Sequence, residues 1–365
     1  CSVCAAISSL LTNTCGRMPA IMRNCRMVHY ISRRRCFIYT QGMSTENPAP
    51  LRCPNGGNTC WIASSVNALR SLPAFRNQVS KTTPLGKAMT EQDVVLKDLY
   101  KWCRDCLHRG RGLEGHDTDP EDPAEFLMTL FDDASVSTSC FENHRTKILR
   151  CRGCKHEKKT RDTEKILMVA NLDPYSKKPV QEAIYKEFGY TVEMYHPSRE
   201  SALGSGLGSA EKARDACLSQ DKLWTLCDDN SLQSCSTAAK LVEPYLLFYA
   251  ARDERYEYGE YGDEDRANSA PPCVASVTLC ETVSVECEGP CKESQQHDMF
   301  VNEYETNKVL VVHIVAPQLI EFDAIERSIL DNNQTPYDLT AVLCRVRIAQ
   351  GCHYVTYRRQ VSTRG

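Results

Sequence analysis

Two glycines and a cysteine constrain this chain most. Asn55-Gly56-Gly57-Asn58-Thr59-Cys60-Trp61 follows Pro54 and reads as a loop running into a helix. Ile62, Val66 and Leu69 recur at i, i+4 and i+7, with Asn67 and Arg70 off that face, and Pro73 ends the helix. Any fold must therefore hold a thiol at a glycine-loop-to-helix junction. First-turn N–H groups have no intrahelical acceptor, so this position favours a thiolate and offers donors to an oxyanion. Asn55 and Asn58 add side-chain amides. The plain alternative is a buried structural cysteine beside a tight turn.

A thiol that performs covalent chemistry needs a base. Of the 9 histidines, His353 alone follows a glycine turn and opens an aromatic strand, in Gln350-Gly351-Cys352-His353-Tyr354-Val355. An imidazole there can take the thiol proton and return it to a leaving amine. Singly, such a histidine is more often a structural residue of a strand.

At 365 residues the chain is long enough for two domains or one large one. Its 42% hydrophobic and 25% charged residues are ordinary for a globular protein. A formal net charge of −3 argues against a nucleic-acid partner. No apolar run of about 18 residues exists, so no membrane-spanning helix is expected. The 21 cysteines are an odd number and cannot all pair within one molecule. Two close cysteine pairs have metal-ligand spacing, so a reducing compartment, cytoplasm or nucleus, is expected.

Residues 1–45 contain no Asp or Glu and include Arg33, Arg34 and Arg35. Residues 1–50 read as an unstructured or non-native leader: a transit peptide, or translated upstream sequence with Met43 as the start. A second helix is signalled at Asp122, with Pro123 at its first position and Phe126, Leu127, Leu130 and Phe131 on one face. Strands are expected at 164–172, Val309–Val315, Leu339–Leu343 and Tyr354–Arg358. Helices early and strands late give α+β. Residues 199–215 and 252–272 read as linkers flanking an ordered insert.

These motifs resemble the ubiquitin-specific proteases, papain-like thiol deubiquitinases. The family's Asn-Leu-Gly-Asn-Thr-Cys-Tyr box stands as Asn55–Trp61, followed by Leu72-Pro73-Ala74-Phe75. Its Gln-Asp-Ala-x-Glu-Phe-Leu helix stands as Glu121–Leu127. Its His box stands as Tyr337-x-Leu339-x-Ala341-Val342 and Gly351–Val355. The resemblance covers residues 51–360 as one catalytic domain, with an insert at 190–275. It implies a helical thumb, a β-rich palm and zinc-bearing β fingers, with Cys60 as nucleophile, His353 as base and Asn55 as an oxyanion donor. The implied partners are ubiquitin and ubiquitinated proteins.

The triad's acid is displaced. The family carries it after the His, in Trp-x-x-Phe-Asp-Asp, but only 12 residues follow His353 and none is acidic or Asn. Lys222-Leu223-Trp224-Thr225-Leu226-Cys227-Asp228-Asp229 matches that stretch, and Pro244-Tyr245-Leu246-Leu247-Phe248-Tyr249 matches the family's closing strand. The usual C-terminal hairpin thus looks permuted into the middle of the chain, with Asp228 as the orienting acid. Triads are defined by geometry rather than chain order. The alternatives are a chance acidic turn and a misassembled coding sequence.

Cys151-x-x-Cys154 and Cys287-x-x-x-Cys291 each carry Gly or Pro in the turn and suit tetrahedral zinc. The family's fingers carry such knuckles; four reduced surface thiols are the alternative. Cys280, Cys273, Cys103 and Cys106 could substitute as ligands, although Cys103 and Cys106 lack a turn residue and fall in a helix. Ile314-Val315-Ala316-Pro317 stands where the family often shows Leu-x-Arg-Phe, so any substrate contact made by that Arg is lost. Three functions remain open: an active deubiquitinase, a ubiquitin-binding pseudoenzyme, and a zinc-stabilised interaction domain.

Overall fold

The structure is a computed structural model. It describes residues 48–111, 121–187, 190–191, 224–235, 240–252, 275–277, 279–291, 294–331, 335–349 and 351–360. All lie in the larger of the chain's two units, residues 46–365. The expected leader lies outside the described residues except at 48–50. So do the first linker and all of the second except Arg252.

Five helices come first: α1 (Cys60–Arg70), α2 (Pro73–Arg76), α3 (Pro84–Thr90), α4 (Leu96–Arg111) and α5 (Pro123–Asp132); α6 (Pro179–Glu187) lies further on. Proline opens α2, α3 and α5, where its missing N–H costs nothing. Asp122 caps α5, its carboxylate accepting from the N–H groups of Ala124 at 2.7 Å and Glu125 at 3.2 Å. No described helix is long and apolar enough to cross a membrane.

Every residue of α1 is buried, including Asn67 and Arg70, which the sequence pattern placed off the apolar face. Their polar groups are satisfied by neighbouring main chain. Asn67 Oδ1 accepts from the Leu51 N–H at 2.8 Å and its Nδ2 donates to the Leu51 carbonyl at 3.1 Å. Arg70 donates to the carbonyls of Ala49 and Ala88.

The strands are β1 (Asn143–Cys151), β2 (Glu157–Glu164), β3 (Leu167–Val169), β4 (Tyr190–Thr191), β5 (Trp224–Asp228), β6 (Ser231–Cys235), β7 (Leu241–Val242), β8 (Pro244–Ala251), β9 (Ala275–Val277), β10 (Leu279–Glu286), β11 (Ser294–Glu305), β12 (Val309–Ile314), β13 (Ile320–Glu321), β14 (Ser328–Leu330), β15 (Pro336–Ile348) and β16 (Gly351–Arg359). The single strand expected at 164–172 is instead the end of β2 and the short β3, separated by a bend at Lys165-Ile166.

One large sheet runs β3-β12-β8-β15-β16-β5-β6, with β14 on β15, and is antiparallel except where β3 meets β12. A second, antiparallel sheet runs β10-β11-β1-β2. The large sheet is covered on both faces. Leu246, Phe248, Val309 and Val311 pack with the α1–α5 side, while Leu247, Tyr249, Leu310 and Val312 pack with α6 and Trp224. That is why β8 reads as an unbroken apolar run rather than an alternating one. The described fold is thus a mixed helix-and-sheet one.

Candidate active site and cysteine cluster

The loop before α1 is organised by its own side chains. Asn55 Oδ1 accepts from the N–H groups of Gly57 at 3.1 Å and Thr59 at 3.2 Å, and from Thr59 Oγ1 at 3.3 Å. Gly57 takes a φ of 102°, which an L side chain rarely adopts, and Asn58 follows at 49°. Thr59 then caps the turn as Cys60 begins α1.

The hairpin of β5 and β6 is brought to this loop by the sheet. β5 lies antiparallel to β16, with Cys227 opposite Thr356 and Trp224 opposite Arg359. This register puts Asp228, the last residue of β5, near the end of β16 that carries His353. The hairpin turn is also held from the other side. The Asp229 carbonyl accepts from the Cys53 N–H at 3.0 Å, and the Asn230 carbonyl from Arg52 at 3.1 Å. The segment leading into the Cys60 loop is therefore clamped to the turn that follows Asp228.

His353 Nε2 lies 2.7 Å from Asp228 Oδ1, across 125 residues of sequence. Ligand atoms of Asp228, Asp229 and His353 all lie within 4.8 Å of one another. Hydrogen bonding to the Cys60 side chain, and secondarily to Asp228, raises His353 from 6.5 to about 9 against the opposing effect of burial. The structure thus brings together Cys60, His353, Asp228 and Asn55. Asn55 sits differently from a simple oxyanion donor: its oxygen ties down its own loop, and its side chain also hydrogen-bonds Asp229. Burial raises the Asp229 carboxyl, whose Oδ1 is enclosed without a hydrogen-bond partner.

Cys151, Cys154, Cys287 and Cys291 converge where β1 turns into β2 and β10 turns toward β11. Their four sulfurs lie within 4.8 Å of one another, and Cys154 and Cys287 are 3.5 Å apart. A tetrahedral zinc with bonds of about 2.3 Å sets its sulfurs about 3.8 Å apart, so the set fits that ion. Each turn is tight. Lys155 adopts a φ of 61°, and the Gly289 N–H donates to Cys287 Sγ at 3.3 Å. A side chain at 289 would meet His156 Cβ at 2.6 Å and Cys154 Sγ at 3.2 Å, so this knuckle requires glycine. The His156 N–H and the neighbouring thiols lower Cys154 to about 6. Cys103 and Cys106 lie within α4, apart from this cluster, and both are buried. The side chain of Cys280 and all of Cys273 lie outside the described residues.

Sequence reasoning missed several residues that shape the site. The Tyr245 hydroxyl donates to the second oxygen of the Asp122 cap at 2.6 Å, tying α5 to the large sheet. Glu243 accepts from both Arg345 and Arg347 on β15, beside the β15–β16 turn. These pairs join residues about a hundred positions apart, and no local pattern announces them. At the departure from the family pattern, β12 ends at Ile314 and Val315 is exposed.

No family model matches the chain, and no curated protein matches it. Among solved structures, it is similar to a chain of the SAGA DUB module Ubp8/Sgf11/Sus1/Sgf73 bound to monoubiquitin. That match has 14% identity and a TM-score of 0.40, covering 89% of this chain and 67% of that one. The Ubp8/Sgf11/Sus1/Sgf73 module bound to ubiquitin aldehyde matches at 12% identity and a TM-score of 0.37, covering 88% and 67%. The yeast SAGA module with an Sgf73 variant matches at 14% identity and a TM-score of 0.34, covering 88% and 66%. The chain thus spans about two thirds of the length of each of these three chains.

Proposed function

We propose that the protein is a thiol-dependent deubiquitinase that hydrolyses peptide and isopeptide bonds at the C-terminal glycine of ubiquitin. The observation that carries this reading is the arrangement of His353 between Cys60 and Asp228, with Nε2 2.7 Å from the carboxylate. The substrate class rests on the Cys-box, helix and His-box motifs in the sequence.

With Nε2 engaged by Asp228, Nδ1 is the ring nitrogen left to exchange a proton with the thiol. A His353 pKa of about 9 favours an imidazolium at neutral pH, and that charge stabilises the thiolate that attacks. The Cys60 thiolate attacks the scissile carbonyl, and the oxyanion gathers at the N-terminus of α1, with the Asn55 amide as a further donor. His353 returns its proton to the leaving lysine amine, giving a thioester on Cys60. Water, deprotonated by His353, releases ubiquitin and the free thiol. Asp228 fixes the imidazole's orientation and stabilises its charged form.

The permuted order is part of the proposal. It is supported by β5 pairing with β16 and by β8 lying between β12 and β15. Cys151, Cys154, Cys287 and Cys291 would hold a structural zinc that cross-links the β1–β2 and β10–β11 turns and takes no part in the reaction.

The test is hydrolysis of a ubiquitin C-terminal fluorogenic amide. Wild type turns it over, while Cys60→Ser loses activity by more than about a thousandfold yet still binds ubiquitin, because affinity comes from a broad interface. Comparable turnover by the two proteins would remove Cys60 as nucleophile.

A further inference from the structure

The side of α4 facing the nucleophile loop carries two polar residues with no part in the reaction just described. Leu99, Cys103 and Leu107 bury one stripe of α4. Tyr100 and Arg104 border that stripe and, four residues apart, share one face. Both reach main-chain carbonyls of the loop that ends at Cys60. Tyr100 Oη donates to the Pro54 carbonyl at 2.9 Å, and Arg104 donates to the Gly57 carbonyl at 3.2 Å. The Tyr100 hydroxyl also contacts the Thr59 and Cys53 side chains.

These two carbonyls bracket the part of the loop that matters for an oxyanion. A peptide unit is planar, so fixing a carbonyl fixes the direction of the N–H that follows it. Holding the Pro54 carbonyl sets the plane entering Asn55. Holding the Gly57 carbonyl sets the plane between Gly57 and Asn58, where the backbone is left-handed at both residues. Asn55 Oδ1 and Thr59 Oγ1 accept hydrogen bonds from within the loop. They hold the loop's shape. Asn55 also ties the loop to Asp229 on the β5–β6 turn, and α4 adds a second anchor at Pro54 and Gly57. Burial raises the Tyr100 phenol, so it remains a donor throughout the working pH range.

We propose that Tyr100 and Arg104 are positioning residues that clamp the Pro54 and Gly57 carbonyls, holding the loop's donors where the oxyanion forms. The proposal rests on the reading of Cys60 as an acyl-transfer nucleophile. Neither residue belongs to the Cys60–His353–Asp228 group. Their loss therefore weakens the transition state for acyl transfer and leaves ground-state binding and thiol reactivity nearly intact.

The experiment compares wild type, Tyr100→Phe, Arg104→Met and Arg104→Lys in three assays: hydrolysis of the ubiquitin amide, hydrolysis of p-nitrophenyl acetate, and alkylation of Cys60 by iodoacetamide, followed at the Cys60 peptide. The two hydrolyses pass through an oxyanion and alkylation does not. Misplaced donors should lower kcat about 10-fold in Tyr100→Phe and Arg104→Met on both substrates. KM and alkylation rate should stay within about twofold, and Arg104→Lys should recover part of the loss. Unchanged kcat in both variants overturns the proposal, as does an alkylation rate that falls in step with kcat. A wild type that cleaves the ester but no ubiquitin amide overturns the functional reading alone, and the ester arm still decides the clamp. A wild type that cleaves neither overturns both.

Discussion

A cysteine works as a thiolate both as nucleophile and as zinc ligand, and the chain surrounds its two candidate centres differently. Cys60 faces one imidazole, which is backed by a carboxylate 2.7 Å away. That imidazole is raised to about 9 by its hydrogen bonds to Cys60 and Asp228, so a cation is built into the site. The four clustered cysteines instead face one another. Cys154 is lowered to about 6, while Cys291, hydrogen-bonded to Cys154, is pushed up to about 12. Each thiolate raises the cost of the next, a charge that a tetrahedral zinc would offset. A third group shows the background. Burial pushes the Cys53 thiol up to about 11 and those of Cys106, Cys140 and Cys227 up to about 12. Burial holds these thiols in their neutral form.

The two centres also differ in how they are assembled. The cluster is built from two short turns, each carrying both of its cysteines. The Cys60 site draws on the α1 loop, the end of β16 and the β5–β6 turn. The first is held by the local geometry of two turns, the second by sheet register. Damage to one should therefore differ in kind from damage to the other.

The largest such difference is expected at Asp228. Asp228→Ala should lower kcat on a ubiquitin amide by about 10- to 10⁴-fold, from partial dependence on the acid to its full loss. The change should fall on kcat rather than KM, because orientation of the base matters most in the transition state. Melting temperature should move little, since the Asp228 side chain is nearly half exposed. An Asp228→Ala protein with wild-type kcat would place the acid elsewhere.

The cluster should respond in the opposite way. Metal analysis should give about one zinc per chain. Changing Cys151 and Cys287 together to Ser should remove it and lower the melting temperature, since structural zinc contributes to folding directly. Ubiquitin-amide hydrolysis by the remaining folded fraction should change less than in Asp228→Ala. Zinc-free protein of undiminished stability would contradict the assignment.

A smaller effect separates the two centres by pH. His353 is raised above its ordinary value, so its imidazolium is fully present below about 6.5 and is lost as pH rises through about 9. The kcat/KM profile should therefore fall on its alkaline side with an apparent value near 9, and the ion pair's contribution to stability should fade over the same range. Asp228→Ala should shift that limb to lower pH, whereas the double cysteine variant should leave it in place. A limb that does not move in Asp228→Ala would separate the carboxylate from the titrating imidazole.

Much of the site was legible because its chemistry-bearing residues sit in short local motifs. The Gly56-Gly57 loop, the Asp122-Pro123 cap and the cysteine knuckles each have a local physical signature. Asp228 was found only as a displaced copy of a motif, since nothing local in Asp228-Asp229 says that β5 pairs with β16. What escaped was long-range or polar inside the core. Asn67 and Arg70 looked solvent-facing because helical spacing counts polar residues as surface. Their burial depends on the main chain of Ala49 and Leu51 lying across α1. The 164–172 strand failed for a related reason: a continuous apolar run does not reveal the bend at Lys165-Ile166 that passes the chain from one sheet to the other.

The central claim is that Cys60 is the thiol of a ubiquitin-specific hydrolase. A ubiquitin bearing a C-terminal electrophile tests it most directly, read by intact-protein and peptide mass spectrometry. The account predicts one ubiquitin adduct per chain, located on Cys60, absent in Cys60→Ser and strongly slowed in His353→Ala. No adduct on the folded protein, or an adduct on any other cysteine, would contradict it.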